Sequence, residues 1–161
     1  MTVKTTFTVD EALQKLRNYC AYQERSHKEV VLKLSEMGMI EAAINQIVVS
    51  LIGDNYLNEE RFAFSYARGK FSQKHYGKIR IQRELKLRNI HPKLIQKAID
   101  QIESADFDHA FEKLADKKWE SLRKENALVK KKKFIDYMVY RGWETERVYD
   151  KLRSLSSQSN S

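Results

Sequence analysis

Arg68, Lys70, Lys74, Lys78, Arg80, Arg83, Lys86 and Arg88 fall in one stretch of chain with Tyr66, Phe71, His75 and Tyr76 set among them. Cations interleaved with aromatic rings suit a polynucleotide, because the cations follow the phosphates while the rings stack on bases. Buried aromatics beneath a solvated helix surface give the same composition, so both readings stand. A second basic feature is the run Lys130-Lys131-Lys132-Lys133. Four adjacent like charges leading into a helix oppose its dipole. That cost points either to a binding role or to a loosely wound, solvated helix start. Lys117, Lys118, Arg123 and Lys124 alternate with Asp116, Glu120 and Glu125, and read as an ordinary charged helix.

Other chemistry finds no support. No stretch matches a Gly-rich phosphate loop or a dinucleotide fingerprint. His27, His75, His91 and His109 have no helical-spacing ligand partner, and the single Cys20 cannot build a zinc site. Glu59 and Glu60 suit the first turn of a helix, where acids favour the dipole. With no nucleophile next to a base, the expectation is a protein that is not an enzyme, with no cofactor and no metal. The chain shows no signal-peptide pattern and no apolar run fit to span a bilayer, and its lone cysteine suits a reducing compartment. A cytoplasmic monomer is the expectation.

Charge is uneven along the 161 residues, whose net value is +8. Residues 1–55 carry 6 Lys and Arg against 7 Asp and Glu; residues 56–105 carry 11 against 5; residues 106–161 carry 13 against 10. A localised positive field suggests a polyanion, or a partner coated with one.

The elements that must position these residues come from an internal repeat. Val30, Leu34, Gly38, Met39, Ile44, Val48 and Leu51 align with Ile81, Leu85, Asn89, Ile90, Ile95, Ile99 and Ile102. They align again with Phe134, Met138, Gly142, Trp143, Val148, Leu152 and Leu155. The i, i+4 and i, i+4, i+7 spacings are helical. The Gly/Asn/Gly column predicts a left-handed residue that stops the first helix of each pair, with an apolar residue packing back after it. Thr8-x-x-Glu11 and Ser26-x-x-Glu29 are capping-box patterns, and Pro92 suits the first turn of a helix. A further helix precedes each pair, from about Thr8, Asn58 and Asp106. The expected fold is therefore all-α, an elongated tandem array of three three-helix repeats: 1–55, a basic 56–105, and 106–155, with a disordered tail over 156–161.

Three segments carry a resemblance. Arg25-Ser26-x-x-Glu29-x-x-x-Lys33-Leu34-x-x-x-Gly38, Tyr56-Leu57-Asn58-Glu59-Glu60-Arg61-Phe62-Ala63 and Gly77-x-x-Arg80-Ile81-x-x-Glu84-Leu85-x-x-Arg88-Asn89-Ile90 resemble the RecX regulatory proteins of bacteria. The likeness runs from about Ala12 to Leu155, is most specific over 56–63, and is weakest in the third repeat. Asn89 stands where the family commonly has glycine. The resemblance implies tandem three-helix units that bind the RecA recombinase, chiefly as a filament on single-stranded DNA, and restrain its growth, ATP hydrolysis and strand exchange. It implies no catalytic residues, and DNA contact for some members. It defines no binding motif, so the candidate DNA- or filament-binding residues are the cations of 68–88 and 130–133. A helix-turn-helix DNA-binding protein fits the spacing of Leu34, Gly38 and Ile44, but its recognition helix, 41–51, would hold no Lys or Arg. A protein–protein adaptor without nucleic acid is the other alternative.

Overall fold

The computed structural model describes residues 6–159. Among them are nine helices and no strand: α1 Val9–Tyr22, α2 His27–Glu36, α3 Glu41–Gly53, α4 Glu59–Lys74, α5 Lys78–Leu87, α6 Pro92–Asp100, α7 Ser104–Ser121, α8 Ala127–Tyr140 and α9 Thr145–Ser159. The all-α helical repeat fold expected from the sequence is the fold observed.

The chain groups into two compact units. One takes residues 1–65 with 85–95, the other 66–84 with 96–161. Helices α4, α5 and α6 therefore each contribute to both.

In the first unit α1, α2 and α3 pack on one another. Their apolar stripes bury Leu16, Val30, Leu34, Ile47 and Leu51, and the Cys20 thiol lies among them. Both capping boxes form. The Thr8 hydroxyl accepts from the Glu11 N–H at 3.1 Å while Glu11 Oε1 accepts from the Thr8 N–H at 3.1 Å. Ser26 and Glu29 repeat the exchange at 3.1 and 3.2 Å. Each satisfies two N–H groups that a helix start leaves open.

The segment 55–63, where the sequence motif is most specific, ties this unit together. Arg61 meets Glu24 at 2.5 Å and donates to Asn55 Oδ1, to the Asn55 carbonyl at 3.0 Å and to the Tyr56 carbonyl at 3.3 Å. Asn58 Oδ1 caps α4 through the Arg61 N–H at 2.9 Å, and Leu57 is buried. The motif is a structural clasp around Asn55, whose φ is +64°.

The predicted stop recurs three times with the same hydrogen bonds. Gly38, Asn89 and Gly142 have φ of +83°, +58° and +92°. The residue after each donates to the carbonyl five before it: Met39 to Leu34, Ile90 to Leu85 and Trp143 to Met138, at 3.1–3.2 Å. The left-handed residue itself donates three back, to Ser35, Lys86 and Val139. This is the double-bonded left-handed helix stop, and asparagine serves the middle copy because its short side chain tolerates that conformation.

In the second unit α8 packs on both α7 and α9. Phe107, Phe111, Phe134, Met138 and Trp143 are buried, with Trp143 edge-on to Phe111 at 5.4 Å. Two expectations are corrected here. The lysine run does not open α8: Asn126, four residues before Lys130, caps that helix, accepting from the Val129 N–H at 2.9 Å, so 130–133 lie inside it. The serine-rich end is not a tail from 156: Leu155 is buried and α9 continues through Ser159. The tail's last residues, 160 and 161, lie outside the described residues.

Candidate nucleic-acid and filament interface

The turn after α8 carries the site's geometry. The Gly77 N–H donates to the Arg141 carbonyl at 2.8 Å, and the Ile79 N–H to the Gly142 carbonyl at 3.1 Å. Trp143 Nε1–H donates to the His75 carbonyl at 3.2 Å, and the Arg141 guanidinium donates to the Lys74 carbonyl. The backbones pass so closely that a Cβ on Gly142 would lie 2.3 Å from Arg80 Cβ. These contacts hold the end of α4 and the start of α5 against the end of α8.

The predicted cations then separate by role. Arg80 is spent inside the protein: its side chain is 13% exposed, its guanidinium lies 4.1 Å from the Tyr76 ring centre and 4.4 Å from that of Tyr140, and it donates to the Tyr140 carbonyl at 3.1 Å. Lys78 lies over the Phe107 ring, Lys70 over Tyr66, and Lys130 over Trp119 at 3.9 Å. Arg68 donates to Gln101 at 3.0 Å. Lys132 pairs with Asp136 and Lys133 with Glu125, at 3.0 and 2.8 Å. Lys74, Arg83 and Lys131 are exposed. In the first unit Lys86 is exposed, while Arg88 pairs with Glu29 at 3.5 Å.

Reading the sequence missed a set on α7. His109, Lys113 and Lys117 stand at helical i, i+4 spacing and line an open groove of about 830 Å³ in the second unit, with Lys74, Lys118 and Arg141. Three of the five acids of α7 are taken up by α9. Asp108 meets Arg147 at 2.8 Å, and Lys151 meets Glu112 at 2.6 Å and Asp116 at 3.0 Å. Burial works to lower the pKa of Lys151, but hydrogen bonds to Glu112 and Asp116 outweigh it and hold the ammonium above its ordinary value. In the first unit, burial pushes the Cys20 thiol and the Tyr19 hydroxyl up, which keeps both neutral.

Among the described residues no group of three His, Cys, Asp or Glu side chains is placed to hold a metal, and no helix is long and apolar enough to cross a membrane.

The family model for the RecX second three-helix domain matches residues 58–99. The "Regulatory protein RecX" of Bacillus licheniformis is 30% identical over 135 residues, covering 84% of this chain and 51% of its own length. Together these matches support the RecX family for this chain. The RecX of Bacillus cereus strain B4264 is 28% identical over 160 residues, covering 94% of this chain and 56% of its own. The chain thus spans about half the length of these RecX relatives. Two RecX crystal structures share the fold. One, of a regulatory protein RecX, has a TM-score of 0.76 at 23% identity and covers 91% of this chain and 71% of that one. The other, from Lactobacillus salivarius, has a TM-score of 0.75 at 22% identity and covers 92% and 96%. Both Bacillus relatives carry the name of regulatory proteins.

Proposed function

We propose that this chain regulates a RecA-type recombinase filament on single-stranded DNA, restraining filament growth, ATP hydrolysis and strand exchange. The observation that carries the reading is the likeness to regulatory RecX proteins along 84% of the chain. Three repeats, 1–55, 56–105 and 106–155, act as successive contact modules of a cytoplasmic monomer. Several weak contacts along one filament give avidity that a single contact lacks. Arg83, Lys86 and Lys131, exposed on their helices, face DNA or acidic filament surface. Arg80, held between the Tyr76 and Tyr140 rings, is not part of that exposed set.

Co-sedimentation with preformed recombinase filaments tests this. The wild-type chain pellets with filaments, and the Arg83→Glu/Lys86→Glu variant pellets several-fold less at the same helicity. Failure of the wild type to pellet refutes the partner. Full binding by the variant refutes the placement of the basic surface.

A further inference from the structure

The groove between the end of α4, α7 and the end of α8 carries charge that the fold leaves unneutralised. Taken as a sequence, α7 intersperses acids and bases. In the structure it is sorted. Asp108, Glu112 and Asp116 turn to Arg147 and Lys151 of α9, while Glu120 pairs with Arg123 at 2.9 Å. Lys113 and Lys117 are left exposed on the groove, joined there by Lys74 and Lys118, with Asp106 the one carboxylate in the lining. The floor is apolar: Leu114 is buried, and the half-buried Phe71 meets Phe107 at a tilt, with ring centres 4.8 Å apart. Lys118 and Arg141 flank the Tyr137 ring at 4.4 and 4.9 Å.

We propose that this groove seats single-stranded nucleic acid, with Lys113, Lys117 and Lys74 on successive phosphates and base faces against the Phe71–Leu114 floor. The row His109, Lys113, Lys117 advances by about 6 Å per member, four residues at the helical rise. That step is comparable to the separation of phosphates in an extended single strand. A nucleotide presents one charge and one flat apolar face per repeat, and the groove sets lysines beside apolar side chains. A run of acidic residues supplies the charge without the apolar face. A duplex is a convex rod with its phosphates outside and its base faces stacked on one another, so it has no base face to offer the apolar floor. The inference stands on the groove's charge and shape; it takes from the proposed function only the choice of DNA for the probe.

The test is fluorescence anisotropy of a labelled oligo-dT with the whole chain and no recombinase present, titrated at several salt concentrations. The comparison is Lys113→Ala/Lys117→Ala against Lys15→Ala/Lys33→Ala, a first-unit variant of the same net charge. Single-strand binding loses about 0.7 in log–log salt slope per phosphate contact removed. The groove variant therefore lowers the slope by about 1.4 and weakens binding at low salt at least tenfold, while the first-unit variant changes neither. No binding of oligo-dT by the wild type, equal losses in both variants, or an unchanged groove variant of native helicity each overturns the assignment. Displacement of oligo-dT by poly-glutamate as effective as by unlabelled strand overturns it in favour of an acidic protein ligand. The experiment contains no recombinase, so its failure leaves the filament reading to its own test.

Discussion

Gly142 and Gly38 hold the same place in two copies of one turn, yet alanine has different consequences at each. Both are left-handed, at φ +92° and +83°. A Cβ in that conformation costs about 1–2 kcal/mol, partly offset by about 0.4–1 kcal/mol from the stiffer unfolded chain. At Gly38 nothing lies within 4 Å of the new atom, so the net loss is roughly 1 kcal/mol. At Gly142 the Cβ would stand 2.3 Å from Arg80 Cβ, 2.4 Å from its N and 2.8 Å from its Cα. Carbon atoms settle at about 3.5–4.0 Å, so the backbones must part by roughly 1 Å. That parting strains the Gly77–Arg141 and Ile79–Gly142 hydrogen bonds, at about 1 kcal/mol each, and adds an overpacking cost of about 1–3 kcal/mol. Gly142→Ala should therefore destabilise by about 4–6 kcal/mol. At roughly 4–8 °C per kcal/mol for a unit of about 80 residues, the melting point of its unit falls at least about 16 °C below wild type, against about 4–8 °C for Gly38→Ala. Both tryptophans, Trp119 and Trp143, lie in the second unit, so their fluorescence follows that unit while helical circular dichroism follows both. Equal losses at the two positions would refute the steric reasoning and leave only the shared backbone conformation.

Other perturbations have signs that follow from the same contacts. Lys151, 14% exposed and shared by two carboxylates, should cost about 1–3 kcal/mol as Lys151→Ala, intermediate between an exposed and a buried pair. Because its pKa is raised in the folded state, its contribution is present below the ordinary value of 10.5 and lost as pH rises through the folded value. Tryptophan-monitored melts from pH 9 to 12 should show the gap between wild type and variant closing. Glu11 is held below its ordinary value of 4.5 by the Thr8 N–H first and the Thr8 hydroxyl second, so its contribution is present above that pH and lost as pH falls. Melts of wild type and Glu11→Gln should differ at pH 6 and converge near pH 3. Arg61→Ala removes the clasp on Asn55, Tyr56 and Glu24, and urea titration should show a loss of about 2–4 kcal/mol.

Local rules carried most of the fold into the sequence. The capping boxes at Thr8 and Ser26 and the first-turn Pro92 each need only neighbours a few residues away, and so does the left-handed column. Where a side chain's role depends on a distant partner, the sequence was mute. Arg80 looks like any surface cation until Tyr140 arrives from α8 to cover it. Lys113 and Lys117 look neutralised by their own helix until Arg147 and Lys151 draw its acids away. No spacing rule links Gly77 to Gly142, although the whole groove hangs on their contact. The start of α8 is legible in Asn126, since an Asn with a free N–H three residues on is a cap signal.

The most direct test of filament regulation is ATP hydrolysis by the cognate RecA-type recombinase on single-stranded DNA, titrated with this chain in the presence of excess DNA. Inhibition well below one molecule per recombinase protomer, persisting in excess DNA, is the predicted result. Hydrolysis unchanged at stoichiometric protein, or inhibition abolished by added DNA, would contradict it.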